Sequence, residues 1–412
     1  MAKSKKSRAF ASFERAEPAS VGLDPDRLTV LKKALQRDVD EERIPGCVIA
    51  IARQGKLAFE TAVGYRDAAQ KQRMTSDAVF SIASMTKPIV SVAILQLFEQ
   101  GHLLLGDPVG GHLPELEGLQ VGELDADGGL AMRPAARQPT IHDLLRHTSG
   151  LTYQNRGATA LYAPYPGSSN SAPVKLSKKD MLASLSECPL LFEPGSKWEY
   201  GFSTDVLGFI VEQVTGSRLG ACLKAAITDP LGMSDTQFEL TQRDSKNRYA
   251  RAFEHDSVTG EKNWILHADG GKMHWQPGGG GLVSTASDYL TFAQMLLDGG
   301  TLGDKRILGR KTVELMTSDH LGPDIENRIA DTMDPACDGY GFGLGVAVRH
   351  EDGLSASAGT VGDFYWSGVY GTYFWVDPIE EMAVVFMAAC PGPARLRLRQ
   401  LARSLVYQAI AD

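Results

Sequence analysis

The stretch Phe80-Ser81-Ile82-Ala83-Ser84-Met85-Thr86-Lys87-Pro88-Ile89-Val90 decides how the chain is read. It places a serine three residues before a lysine at the mouth of an apolar run. Ile89, Val90, Val92, Ala93, Ile94, Leu95, Leu97 and Phe98 predict a helix buried on most sides, with Gly101 as its stop. Residues three apart on a helix share a face, so Ser84 and Lys87 project side by side, and the Ser84 amide is among the free donors of the first turn. The combination supplies a nucleophile, an amine that can take its proton, and one donor for a developing oxyanion. A bare S-x-x-K is a weak pattern whose ordinary reading is an exposed turn with a solvated lysine. This is the only occurrence in the chain, however, and its lysine precedes a run too apolar to face water.

Composition sets the outer limits. The 412 residues can bury a large core in one large or two intermediate domains. A formal charge of −8 and the absence of a basic, aromatic-interleaved stripe argue against nucleic acid as a partner. The basic start, Met1 to Arg8, is not followed by the apolar core of a signal peptide. No apolar run reaches membrane-spanning length, so no membrane partner and a cytoplasmic location are expected. Cys47, Cys188, Cys222, Cys337 and Cys390 are scattered and odd in number, which reads as small buried hydrophobes rather than a disulfide framework. No metal-ligand spacing occurs, and neither a metal nor a cofactor is expected.

Outward from the serine helix, strands and helices segregate. Leu28, Val30, Leu31 and Leu35 predict an amphipathic helix from Asp24 to Val39, and 47–52 with 57–63 predict a β-hairpin turning at Gly55. Between Gly101 and about Gly271 helix starts dominate, at Thr140, Ser177 and Ser203 or Thr204. Tyr153 to Pro173 reads as a long surface loop, its tyrosines suggesting a substrate-facing flap. After Gly278 to Gly281, a helix capped at Thr285 runs from Tyr289 to Leu297. Strands return at 343–348, 371–376 and 382–388, before a final helix from about Ala394 to Ile410. The expected fold class is therefore α/β of the α+β type: an antiparallel sheet flanked by helices and formed by both chain ends, with a mostly helical insertion. The expected division is a disordered tail at 1–15, a sheet domain at 16–80 and 275–412, and a helical domain at 81–274. The serine lies at the seam, where small-molecule clefts are usual.

Five blocks now carry a resemblance over nearly the whole chain. They are Ser84-Met85-Thr86-Lys87, Leu144 to Leu151, Trp198 to Gly208, Gly278 to Ser284, and Trp366-Ser367-Gly368 before Gly371-Thr372. In this order they resemble the serine β-lactamase superfamily, within it the class C-like branch that includes the family VIII carboxylesterases. The resemblance implies a β-lactamase/penicillin-binding-protein-like fold, Ser84 as the acylated nucleophile and Lys87 as its partner. It implies Tyr200 as the proton-shuttling tyrosine of the family's Y-x-N block, and the amides of Ser84 and Val369 as the oxyanion hole.

Two departures bear on the substrate. Class C β-lactamases carry K-T-G where this chain has Trp366-Ser367-Gly368, and the lysine that helps bind a carboxylate is absent. An indole offers one N–H and a broad apolar face, which suits a neutral ester and disfavours a buried anion. Phe202 stands where Y-x-N has asparagine, so a polar anchor for acyl amides is lost as well. Tyr153, Tyr162 and Tyr165 are candidate pocket walls. His147 and Asp143 invite a Ser-His-Asp reading, but no G-x-S-x-G elbow exists in the chain. The expectation is a serine carboxylesterase for neutral, short-chain or aromatic esters, with Trp366, Ser367, Gly368, Phe202 and Tyr153 at the substrate. Rivals with the same machinery are a β-lactamase, a D-amino-acid peptidase or amide hydrolase, and an acyltransferase. A non-enzymatic rival is a penicillin-binding sensor.

Overall fold

Residues 46–52 and 382–388 are apolar at every position, and each lies in a strand buried along its whole length. In a computed structural model, which describes residues 9–268, 270–333 and 337–412, these two strands are neighbours at the middle of one antiparallel sheet. The strands are β1 (Gly46–Arg53), β2 (Lys56–Asp67), β3 (Gln72–Arg73), β4 (Val79–Ser81), β5 (Gln120–Leu124), β6 (Leu130–Pro134), β7 (Val283–Thr285), β8 (Thr301–Leu302), β9 (Lys305–Arg306), β10 (Tyr340–Phe342), β11 (Ala347–Arg349), β12 (Phe364–Ser367), β13 (Tyr373–Asp377) and β14 (Met382–Ala388). Eight of them form the main sheet in the order β10-β11-β12-β13-β14-β1-β2-β3. Ala50 lies opposite Glu60 of β2 on one side and Val385 of β14 on the other.

A strand buried on both faces needs a cover on each. Phe374 and Trp375 of β13 point to opposite faces and identify the two covers. Phe374 packs on Tyr289, at 4.9 Å between ring centroids, and Trp375 stacks on Tyr407 at 6.4 Å. Tyr289 belongs to the helix Ala286–Leu297 and Tyr407 to the terminal helix Ala394–Tyr407, which also packs against α1 (Pro25–Asp40). The serine helix, α2 (Thr86–Glu99), is buried without a break from Thr86 to Leu95 and packs on α3 (Ser203–Thr215). A sheet built from both chain ends, helices on its faces and helices between is the layout expected from periodicity.

Several local expectations are corrected. The basic start at 1–8 lies outside the described residues, but 9–15 do not fray: Phe10 is buried and its amide donates to Ser287 Oγ at 2.7 Å. The strand expected at 343–348 begins only at Ala347, in β11; residues 343–346 are the bend of its hairpin with β10. Gly343 N–H donates to Val346 at 2.8 Å and Gly345 takes φ of 97°, a conformation open to glycine. Leu344 and Val346 are buried by tertiary packing, so their apolarity mimicked a strand. The stretch 153–173 is a surface loop with only short helical turns, as expected, but Tyr153 and Tyr165 turn inward from it and are buried. Among the described residues no helix is long and apolar enough to cross a membrane.

Candidate active site

The α-helix begins at Thr86, two residues later than the S-x-x-K spacing suggests, and Ser84 lies in a 3₁₀ turn at Ala83–Met85. Ala83, which precedes the serine, has φ of 44° in the left-handed region that side chains with a Cβ avoid. The turn is held from several sides. Leu282 accepts from the Ile82 amide at 3.0 Å, Thr86 Oγ1 accepts from the Leu282 amide at 3.1 Å, and Tyr289 Oη donates to the Met85 carbonyl at 2.8 Å. In a wall of buried neighbours, Ser84 alone between Ser81 and Leu95 keeps some exposure.

Lys87, fully buried, directs its three N–H donors at three oxygens. Gly279 O lies at 2.6 Å, Tyr153 Oη at 3.3 Å and Ser84 Oγ at 3.5 Å, the last at the long edge of the hydrogen-bonding range. The same ammonium lies 4.5 Å from the centroid of the Tyr200 ring, a cation–π contact. The expected phenol is therefore beside the amine, but by its face, and the oxygen beside the amine belongs to Tyr153. Tyr200 Oη is buried without a hydrogen-bond partner among the described residues.

Tyr153 and Tyr200 arrive together because their backbones touch. A Cβ on Gly201 would lie 2.3 Å from the Thr152 Cα, so glycine permits the approach, and Thr152 Oγ1 donates to the Tyr200 carbonyl at 3.3 Å. Phe202 does not line the cleft. It is wholly buried and braces Tyr153 edge to face at 4.7 Å. Tyr165 is no pocket wall either, since its hydroxyl donates to the Pro189 carbonyl at 2.6 Å within the core.

Behind Tyr153 stands a set of groups that sequence reading missed. Its hydroxyl is hydrogen-bonded to Ser169 Oγ, Ser169 donates to Asp205 Oδ2 at 2.6 Å, and the Gly279 amide donates to Asp205 Oδ1 at 2.9 Å. Burial pushes the Asp205 carboxyl up while the Lys87 charge pulls it down, and the net shift is upward. Burial, reinforced by the Asp205 charge, holds the Tyr153 phenol well above its ordinary range. Ser169 and Asp205 carry no local motif. Asp205 stands inside one of the quoted blocks, but its partners come from distant segments.

Trp366 is buried on β12, its ring 5.6 Å from Tyr200 and 5.2 Å from Phe342. Next along the chain, Gly368 meets the serine turn. A Cβ there would lie 2.2 Å from the Ile82 carbonyl oxygen, to which Thr372 Oγ1 donates at 3.2 Å. The contact carries Ser367, half-buried, and Val369, exposed, to the edge of the same turn. Among the described residues neither the Ser84 nor the Val369 amide has an acceptor, so both are free to face an oxyanion.

His147 does not form a triad. Its ring is buried with both nitrogens unpartnered, and burial with the nearby Lys87 charge keeps it well below the ordinary histidine range. Asp143 is engaged by Arg137, Arg146 and Thr148 instead. His147 packs on Tyr200 at 4.9 Å and so shapes the wall of the site. Among the described residues no three His, Cys, Asp or Glu side chains converge to hold a metal ion.

Comparison with known proteins places this geometry. Residues 31–408 match the sequence model of the Beta-lactamase family. Protein Rv1367c of Mycobacterium tuberculosis is 34% identical over 363 residues, covering 85% of this chain and 88% of its own. Esterase EstB of Burkholderia gladioli is 29% identical over 408 residues, covering 93% of this chain and 97% of its own. Among solved structures, EstCE1, described as a hydrolase with promiscuous acyltransferase activity, superposes with a TM-score of 0.72 at 28% identity, covering 92% of this chain and 98% of its own.

Proposed function

The chain belongs to the Beta-lactamase family as a serine hydrolase, and from that premise we propose that it hydrolyses neutral, short-chain or aromatic carboxylic esters through an acyl-enzyme on Ser84. The observation that carries this reading is the buried Lys87, whose ammonium is shared between Ser84 and two further oxygens and lies against the Tyr200 ring. Ser84 Oγ attacks the ester carbonyl as Lys87, in its neutral amine form, takes its proton. The Ser84 and Val369 amides receive the developing oxyanion, and the proton passes to the leaving alkoxide by way of Lys87 and the otherwise unpartnered Tyr200 hydroxyl. Water then repeats the sequence and releases the acid. Trp366 in place of a cation supports neutral substrates, because an indole offers a buried carboxylate one N–H and no charge of its own. The esterase relative supports the ester class.

Ser84→Ala is expected to lower turnover of a short p-nitrophenyl ester to background, and intact-mass analysis of the wild type quenched early is expected to show an acyl adduct on Ser84. Wild-type rates in the variant would overturn the assignment. The relative's described acyltransferase activity favours a second acceptor besides water. Product analysis with added alcohol separates transfer from hydrolysis.

A further inference from the structure

The contacts behind Lys87 close into a ring. From Lys87 Nζ the path runs to Tyr153 Oη at 3.3 Å, on to Ser169 Oγ, to Asp205 Oδ2 at 2.6 Å, from Oδ1 to the Gly279 amide at 2.9 Å, and from the Gly279 carbonyl back to Lys87 at 2.6 Å. Tyr153, Ser169, Lys87 and Asp205 are all buried. We infer that Asp205, acting through Ser169 and Tyr153, is the proton store that allows Lys87 to serve as a neutral base toward Ser84. The inference rests on the reading of Ser84 as the acylated residue and adds two positioning residues, Asp205 and Ser169, to it.

Donor counting fixes the direction of each bond. With Asp205 ionised, both of its oxygens accept. Ser169 owns one hydrogen and gives it to Asp205, so its oxygen must accept from Tyr153. Tyr153 has then used its hydrogen, and its oxygen accepts from Lys87. In this resting state the ammonium has no lone pair for the Ser84 proton. If one proton leaves Lys87 for Tyr153, the Tyr153 proton passes to Ser169 and the Ser169 proton to Asp205 Oδ2. Every bond along the path reverses. Lys87 becomes a neutral amine and Asp205 a neutral acid, with no proton gained or lost. A one-third turn about the Cε–Nζ bond then presents the freed lone pair to Ser84. The proton taken from Ser84 goes on to the leaving alkoxide, and the stored proton returns when the acyl-enzyme has been hydrolysed.

Burial favours this exchange, since two neutral groups lose far less on leaving water than two ions do. Burial raises the Asp205 carboxyl against the downward pull of the Lys87 charge, so the net shift is toward the protonated form that the store requires. Tyr153, held well above its ordinary range, conducts the proton without keeping it or losing it. The glycine run has its physical reason here. A Cβ at Gly279 would strike Ser169 Oγ at 2.2 Å and Asp205 Oδ2 at 2.6 Å, so any side chain would break the path.

The test separates a wire from a buried charge. Ser169→Ala cuts the path but leaves Asp205, its charge and its bond to the Gly279 amide; Tyr153→Phe cuts it at the lysine; Asp205→Asn removes the store. Pre-steady-state acylation by a p-nitrophenyl ester is expected to slow by at least about 10²-fold in each, the usual scale of general-base catalysis. KM should stay within about threefold, and Ser169→Ala combined with Asp205→Asn should be no slower than the slower single variant, as for residues acting as one unit. Ser169→Thr, which keeps the hydroxyl, should recover acylation. Should Asp205→Asn fail to fold, Ser169→Ala and Tyr153→Phe decide the matter alone. Wild-type acylation in Ser169→Ala, or a loss confined to Asp205→Asn, would overturn the inference while leaving Ser84 in place. A wild-type protein with no adduct on Ser84 would overturn the reading beneath it, and this inference with it.

Discussion

Ala83 holds a backbone conformation that costs an L-residue about 1–2 kcal/mol, and it does so one residue before the serine it aims. Nothing in the letters announces this, since alanine carries no turn signal, whereas Ser84, Lys87, Tyr200 and Trp366 were legible because each sits in a block with fixed local spacing. Ser169 and Asp205 were not, because their importance lies in contacts between residues far apart in the chain. Phe202, standing where Y-x-N has asparagine, reads as a substrate contact, but the turn before its helix sends it into the core. The indole of Trp366 yields a prediction at this scale. Of two esters equal in size, one neutral and one bearing a carboxylate on the acyl side, the neutral one should show a kcat/KM at least about tenfold higher, since an uncompensated buried charge costs more than the ~1.4 kcal/mol that tenfold represents. Comparable kcat/KM values would remove Trp366 from substrate discrimination.

Elements place the groups, and they do so by close backbone approach. The turn between β12 and β13 meets the serine turn at Gly368, where there is no room for a methyl group. Gly368→Ala is expected to push Val369 away from Ser84, lowering kcat by about 10²–10³, the usual loss of one oxyanion donor, with little change in KM. A kcat within threefold of wild type would show that the Val369 amide is not used. The short helix Ile141–Leu145, which leads into the His147 wall, is fastened by a capping box between Thr140 and Asp143. Burial would raise the Asp143 carboxyl, but hydrogen bonds from Arg137, the Thr140 backbone and Arg146 prevail and hold it at about 2. A carboxyl lowered on folding stabilises above its unfolded range and loses that contribution as pH falls through its folded value. The shift corresponds to about 2 kcal/mol, present at pH 5 and fading between pH 4 and 2. Urea unfolding of wild type and Asp143→Asn should therefore differ by about that amount at pH 5 and converge toward pH 2, and an equal gap at both would contradict it. Helix starts such as this one were readable from their caps. The β10–β11 bend at 343–346 has the sequence pattern of a strand because tertiary burial gives a glycine turn a strand's apolarity.

At the scale of the molecule, the fold class was readable because apolar strands gather at the two ends of the chain and capped helices between them. The ion cluster beneath the sheet was not readable. Asp363, fully buried, accepts from Arg349 at 2.9 Å and from Arg403 at 2.6 Å, and from Tyr340 at 2.8 Å. Asp363→Ala strands two buried guanidinium groups without their carboxylate and should cost about 3–5 kcal/mol of unfolding free energy in urea, whereas Asp304→Ala at the exposed pair Lys305–Asp304 should leave the unfolding midpoint almost unchanged. Equal effects would show that water reaches the cluster.

The pairing of β1 with β14 has a temporal consequence. On a ribosome the hairpin of β1 and β2 emerges with one apolar edge bare, and its partner, the stretch 382–388, follows far later in the chain. Until that stretch arrives the edge is a template for other nascent chains, and the central pairing of the sheet that backs the hydrolytic crevice cannot close before it has been made.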